Sequence, residues 1–190
     1  MRSDNVAGVA RLPNLVLRPA QRDDAEQIAA VHINAWRAAY RGIFPSELLD
    51  SDEFAERRVT SWRRWRFGPG ERCAVATLAK TAESTPVVVA FAWYGPERDR
   101  GRGYTGRGEI NAFYADPRVW GVGVAAPLID HTELRLRAEG FEAAVLWVLR
   151  DNPRARRFYE RHGWEPSGIE GTFEFAGHAV TEVEYRKQLT

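Results

Sequence analysis

FYADPRVWGVGVAAPLIDH, Phe113–His131, sets two glycines and a run of small residues where a strand-like stretch ends and a helix-like one begins. Gly121 and Gly123 remove Cβ atoms at a point where backbone N–H groups can approach an anion. A helix starting just after them adds its unpaired first-turn donors and a partial positive charge. The junction therefore suits a phosphate, and a pyrophosphate fits it.

Two glycine patterns bear on which phosphate compound that is. GVGVAA, Gly121–Ala126, matches the dinucleotide spacing G-x-G-x-x-A, and GRGYTG, Gly101–Gly106, matches G-x-G-x-x-G. The second leads into a strand, so it lacks a helix dipole and reads as a solvated loop. The first has DPRVW between the strand and its glycines, whereas the dinucleotide motif puts its first glycine directly off the strand end. Glu142 is the only carboxylate near the offset where that motif holds its ribose. A nicotinamide-dinucleotide oxidoreductase stays as an alternative with this weak support.

The surrounding pattern alternates helices and strands. LVLRPA is a short strand, and the stretch from Arg22 to Tyr40 opens with Asp23 as N-cap and places Ile28, Val31, His32, Ala35, Trp36 and Ala39 at helical spacing. A short helical piece in GIFPSELLD and a longer helix in SDEFAERRVTSWRRWRF follow, the latter stopped by GPG. RCAVATLA and VVVAFAWYG read as a hairpin, and PERDRGRGYTGRG as a flexible loop. EINAFYA is a strand whose alternation puts Glu109, Asn111 and Phe113 on one face and Ile110, Ala112 and Tyr114 on the other. A helix over Gly123–Glu139, the buried strand AAVLWVL, the helix PRARRFYERHG and two closing strands complete the chain. Pro127 deletes an early hydrogen bond of the Gly123–Glu139 helix unless the helix starts later. The expectation is an α+β fold, a mixed central sheet flanked by helices.

Asn152 followed by Pro153 is a helix start, and Gly163 is its stop. That segment, NPRARRFYERHGW, also fixes Asn152, Ala155, Phe158, Tyr159, Gly163 and Trp164 at the spacing N-x-x-A-x-x-F-Y-x-x-x-G-W. With Trp120, Gly123 and Ala125 in the glycine junction, it resembles the GCN5-related N-acetyltransferases, closely from Glu109 to Trp164 and in element order from Leu15 onward. The resemblance implies a sheet of about seven strands, splayed between strands 4 and 5. It implies acetyl-CoA as co-substrate, its pyrophosphate held by Trp120, Gly121, Val122, Gly123, Val124, Ala125 and Ala126, with Asn152 beside it. Trp120 stands where the family carries Gln or Arg. Main-chain amides of Phe113 and Ala115 are implied to hold the thioester carbonyl and the pantetheine arm, Glu109 to act as general base, and Tyr159 to meet the departing sulfur as general acid. Each side chain also has a bland reading: Glu109 as a solvated strand start and Tyr159 as half-buried packing. Acceptor recognition is implied to come from the N-terminal helices. There Trp36 and Tyr40 either line an acceptor pocket or belong to the core.

Totals limit the remaining classes. The 190 residues fit one domain, expected over residues 15–190 after a mobile lead-in over 1–14. Twenty-seven Lys and Arg against 26 Asp and Glu leave a net charge of +1, too small a field to recruit nucleic acid or a membrane surface. Cys73 is the single cysteine, and the four histidines lack ligand spacing, so neither a disulfide nor a metal site is expected. With no apolar leader, a cytoplasmic protein is expected. An amine acceptor, either a small molecule or a peptide, is the implied partner, and a homodimer is compatible with the family. A non-catalytic acyl-CoA-binding or sensing module is the second alternative; Glu109 and Tyr159 both being present argues against it.

Overall fold

The structure, a computed structural model, describes residues 12, 14–65, 68–81, 83–98 and 106–189. The expected lead-in lies outside these apart from residues 12 and 14, as does most of the Gly- and Arg-rich loop. Seven strands form one sheet among the described residues: β1 Leu15–Pro19, β2 Arg72–Leu78, β3 Val87–Pro96, β4 Gly108–Ala115, β5 Ala143–Leu149, β6 Glu165–Phe175 and β7 His178–Gln188. Their order is β1-β2-β3-β4-β5-β7-β6. Every pairing is antiparallel except β4 with β5. This mixed sheet is not the parallel doubly wound sheet of dinucleotide-binding folds.

Five α-helices cover the sheet: α1 Ala25–Ala39, α2 Ser46–Asp50, α3 Asp52–Arg64, α4 Ala125–Ala138 and α5 Pro153–Arg161. Leu128, Ile129 and Leu136 of α4 bury themselves with Ala90, Ala92, Ile110 and Leu146 of the sheet, and Tyr159 of α5 joins them. Ile28, Val31, Ile33 and Trp36 of α1 cover the opposite face with Phe91, Val75 and Leu149. Ser51 caps α3, its hydroxyl accepting the Phe54 N–H.

Three local readings are corrected. Asp23 does not cap α1. A single 3-10 turn precedes the helix, and it is Asp24 whose carboxylate takes the Gln21 N–H at 2.7 Å and both Arg18 nitrogens at 2.6 and 2.7 Å. The helix expected from Gly123 starts at Ala125, which puts Pro127 third in α4. The first four N–H groups of a helix have no intrahelical acceptor, so the proline sacrifices no bond there.

The third correction concerns β4. Trp93 pairs with Ala112 and Tyr94 with Ile110, leaving Asn111 as an extra residue without a partner on β3. This bulge reverses the alternation beyond it. Phe113 and Ala115 side with Ile110 toward α4 and α5, while Ala112 and Tyr114 turn toward α1 and α3. The expected grouping of Asn111 with Phe113 counted residues as though the strand were regular.

His32 lies in the α1 face of the core, stacked 4.7 Å from Tyr114, with Nδ1 accepting the Trp62 indole N–H at 3.1 Å. Burial, then the Arg58 guanidinium, holds its imidazole well below the usual pKa. The unfolded chain therefore binds a proton there that the folded one refuses. The stability this represents is present above about pH 6.5 and is lost as pH falls below it, by about 1.4 kcal/mol per pH unit. Urea unfolding between pH 7.5 and 5 should show that slope, and His32→Gln should remove one proton's worth of it; an unchanged slope contradicts the assignment.

Candidate active site

The β4–β5 ladder lasts three pairs, Gly108–Ala144, Glu109–Val145 and Ile110–Leu146, and stops at the bulge. Beyond it the strands part and open a cleft of about 550 Å³. Asp116 sends its N–H to Val89 of β3. By alternation the main-chain groups of Ala115 and Phe113 face the opening instead. The Ala115 carbonyl agrees, since it accepts the Trp120 indole N–H at 2.8 Å. The amides of Phe113 and Ala115 are thus a row of donors facing the cleft, with no β5 ladder opposite them.

The glycine junction forms one end of the cleft. Asp116 organises it: its carboxylate caps the turn Pro117–Val119 by accepting the Arg118 N–H at 2.9 Å and holds both the Arg118 guanidinium and the Asn34 amide. Gly121 and Gly123 have φ of +80° and +94°, the left-handed region. A Cβ at Gly121 would meet nothing within 4 Å, so backbone conformation rather than space requires the glycine. Trp120, Gly121, Gly123, Val124, Ala125 and Ala126 line the cleft. No side chain caps α4, which leaves its first-turn N–H groups to the cleft. Val122 is separated from the other predicted loop residues: it is half exposed and is not part of the cleft wall.

From α5, Asn152 caps the helix by accepting the Ala155 N–H at 3.1 Å and reaches the cleft, as do Phe158 and Tyr159. Tyr159 is 7% exposed and wedged among Phe113, Phe158, Trp164 and Tyr185. No protein group among the described residues hydrogen-bonds its hydroxyl. Burial pushes that phenol upward, with Tyr114 adding to the shift, so it remains a neutral donor. Arg154, Arg157 and Arg161 also line the cleft, Arg154 with its guanidinium 3.9 Å from the Trp120 ring centroid. The sequence reading missed these arginines; their spacing of three and four along one helix was the available signal.

Besides Val122, two predicted residues are not brought to the cleft. Glu109 is 1% exposed and holds Arg98 through the backbone N–H at 2.9 Å and Nη2 at 2.8 Å. It is not among the residues lining the cleft, and at 1% exposure it is not a solvated strand start. Trp36 is buried among Tyr40, Phe44, Phe54 and Phe175, behind the wall, whereas Tyr40 lines the cleft with its hydroxyl 3.3 Å from that of Tyr114. No carboxylate or imidazole lines the cleft among the described residues.

A splayed mixed sheet, an uncapped helix start behind two left-handed glycines and a tyrosine hydroxyl without a protein partner among the described residues thus meet in one cleft. Residues 33–164 match the model of the acetyltransferase (GNAT) family. The chain belongs to this family. The uncharacterized N-acetyltransferase YuaI of Bacillus subtilis is 30% identical over 169 residues, which cover 89% of this chain and 90% of that protein. The mycothiol acetyltransferase of Propionibacterium freudenreichii is 30% identical over 156 residues, 82% of this chain and 45% of that one. Among solved structures, PaiA N-acetyltransferase of Thermoplasma acidophilum in complex with coenzyme A superposes with a TM-score of 0.63 at 18% identity, covering 92% of this chain and 98% of its own. YncA of Salmonella typhimurium, solved with acetyl-CoA, gives 0.63 at 19% identity, covering 93% and 95%. Among the described residues no cluster of His, Cys, Asp and Glu is able to hold a metal, and no helix is long and apolar enough to cross a membrane.

The placement of Glu109 has a measurable outcome. Glu109→Gln should lower stability by about 1–3 kcal/mol, because a charged hydrogen bond at a buried site is weakened. Turnover per folded molecule should stay within about threefold of native, less than the loss expected for removing a general base. Denaturant unfolding read beside steady-state rates checks both.

Proposed function

We propose that the cleft binds acetyl-CoA and passes its acetyl group to an amine by direct attack. The single observation that carries this reading is the convergence in one cleft of three unpartnered donor sets: the β4 edge, the start of α4 and the Tyr159 hydroxyl. The amides of Gly123 to Ala126, with the positive end of α4, suit a pyrophosphate. Arg154, Arg157 and Arg161 add the cationic field that a multiply charged phosphate ligand needs at the mouth. Pantetheine then runs along β4 as an added strand, bonded to the amides of Phe113 and Ala115. This brings the thioester to the bulge, with Tyr159 beside the sulfur.

The chemistry follows from what surrounds that point. Donors fixed in place stabilise the oxyanion that forms as the amine attacks. The C–S bond breaks and the thiolate accepts a hydrogen bond from Tyr159. A thiol is the stronger acid, near pKa 8.5 against 10 for a phenol, and burial raises Tyr159 further. Tyr159 therefore stabilises the thiolate by hydrogen bonding more than by surrendering its proton. No cysteine or serine lines the cleft among the described residues, which supports a direct transfer over a covalent intermediate.

Deprotonation of the acceptor falls outside the cleft's own equipment. An alkylammonium near pKa 10.4 reaches pH 7 almost wholly protonated, at a cost of about 4.6 kcal/mol before attack. With acceptors of known pKa, kcat/KM should rise about tenfold per pH unit up to the acceptor's own value. A limb that levels off at one fixed lower pH for every amine contradicts a cleft without a base.

Calorimetry with coenzyme A and thiol release from acetyl-CoA with a panel of amines test the reading directly. Gly123→Val, which forces a β-branched residue to positive φ, should weaken coenzyme A binding by about tenfold or more. Tyr159→Phe should leave that affinity within about twofold and lower kcat by about 10–100-fold. Coenzyme A producing no heat at millimolar concentration rejects the proposal.

A further inference from the structure

Two features of the cleft are not used by the acetyl donor. The first is Asn111. It is the bulged residue of β4, it lines the cleft where β5 departs, and its Oδ1 and Nδ2 are both buried without a hydrogen-bond partner. An amide offers two donors and two acceptor positions, and leaving all of them empty in a protein interior destabilises the fold. Such groups persist where a ligand or water completes them.

The second feature is the wall opposite the glycine junction. Ala35, Ala39, Tyr40, Tyr114 and Trp147 form it, and no carboxylate reaches the cleft among the described residues. Behind this wall stands a cation. The Arg58 guanidinium lies 4.2 Å from the Trp36 ring centroid and 5.2 Å from that of Phe175, and its Nε has no hydrogen-bond partner. An acceptor carrying several ammonium groups finds nothing here to neutralise them and one fixed positive charge nearby. An apolar or aromatic body finds rings and methyl groups.

We propose that Asn111 receives the acceptor nitrogen, and that the acceptor is a primary monoamine with an apolar or aromatic body rather than a polycation. This rests on the acetyl-transfer reading above. Asn111 Oδ1 accepts one N–H of the free amine and so fixes the direction of its lone pair. The nitrogen forms a bond to the thioester carbon, the C–S bond breaks, the sulfur is protonated, and the nitrogen loses one proton to solvent. Asn111 orients the nucleophile and moves no proton itself.

Phenethylamine and spermidine serve as probes, assayed by thiol release at saturating acetyl-CoA. The native protein should prefer phenethylamine by about tenfold or more in kcat/KM. Asn111→Leu should lower kcat/KM for phenethylamine by about 10–100-fold while leaving coenzyme A affinity within about twofold. Its Tm should hold or rise, since an unpartnered amide gives way to an apolar group of similar size. Equal or better use of spermidine, or unchanged phenethylamine turnover in Asn111→Leu, overturns the proposal. So does a variant that loses Tm and coenzyme A affinity together, the mark of a structural amide. A native protein that binds coenzyme A yet acetylates neither probe overturns the acceptor class; one that binds no coenzyme A overturns the acetyl-transfer reading instead.

Discussion

The ladder between β4 and β5 stops after Ile110–Leu146, and the site exists because it stops there. Interior strands of a sheet normally spend every main-chain donor on a neighbour, and an unmade bond costs about 1–3 kcal/mol. Here the bulge at Asn111 ends the pairing, while β3 holds β4 on one side and β7 holds β5 on the other. Those two antiparallel ladders keep the diverging strands from closing or fraying. The gap is thus rigid, and it presents main-chain groups to whatever enters.

Everything at the ends of the gap is arranged around that opening. Trp120 ties its indole N–H to the Ala115 carbonyl, which anchors the turn carrying Gly121 and Gly123 to the free edge of β4. Asp116 does the same from the other side of the turn through Arg118 and Asn34. The loop therefore cannot drift relative to the strand whose amides it complements. The glycine junction and the free edge of β4 become one continuous surface because two side chains, one aromatic and one acidic, fix the angle between them.

Much of this was legible in the sequence, for identifiable reasons. The glycine junction, the Asn152–Pro153 helix start and all seven strands announce themselves through backbone chemistry: turn residues, caps and alternation are local properties. What escaped was what one residue too many does to a strand. Glu109, Asn111 and Phe113 alternate perfectly on paper, yet the extra residue at Asn111 turns Phe113 to the other face. No composition signal marks Asn111 as a bulge, because the register is decided by β3, some twenty residues earlier. Pro127 fits for a simpler reason: the helix starts two residues later than Gly123, which is the alternative the proline left open. Trp36 was ambiguous in principle, since helical spacing gives the side a residue faces and not whether that side meets a cavity or a neighbouring ring.

The same locality explains why the proposed donor half of the cleft was easier to read than the proposed acceptor half. In the proposed reading phosphate and thioester meet main-chain amides, whose positions glycine, proline and caps betray. The acceptor wall instead comes from side chains of α1, β4 and β5 that are far apart in the chain and become neighbours only through the fold. Beyond the tyrosine hydroxyls and the Trp147 indole, its polar contribution among the described residues is an asparagine, a residue type that sequence reading assigns to turns and caps. The neutral character of the site follows from the same packing. Buried tyrosines keep their protons, and the β4 carboxylate Glu109 is paired with Arg98. Under the acetyl-transfer proposal, a cleft so built aligns a nucleophile and stabilises a developing charge without a carboxylate or imidazole in its described lining, which leaves the protonation state of the incoming amine to the solvent.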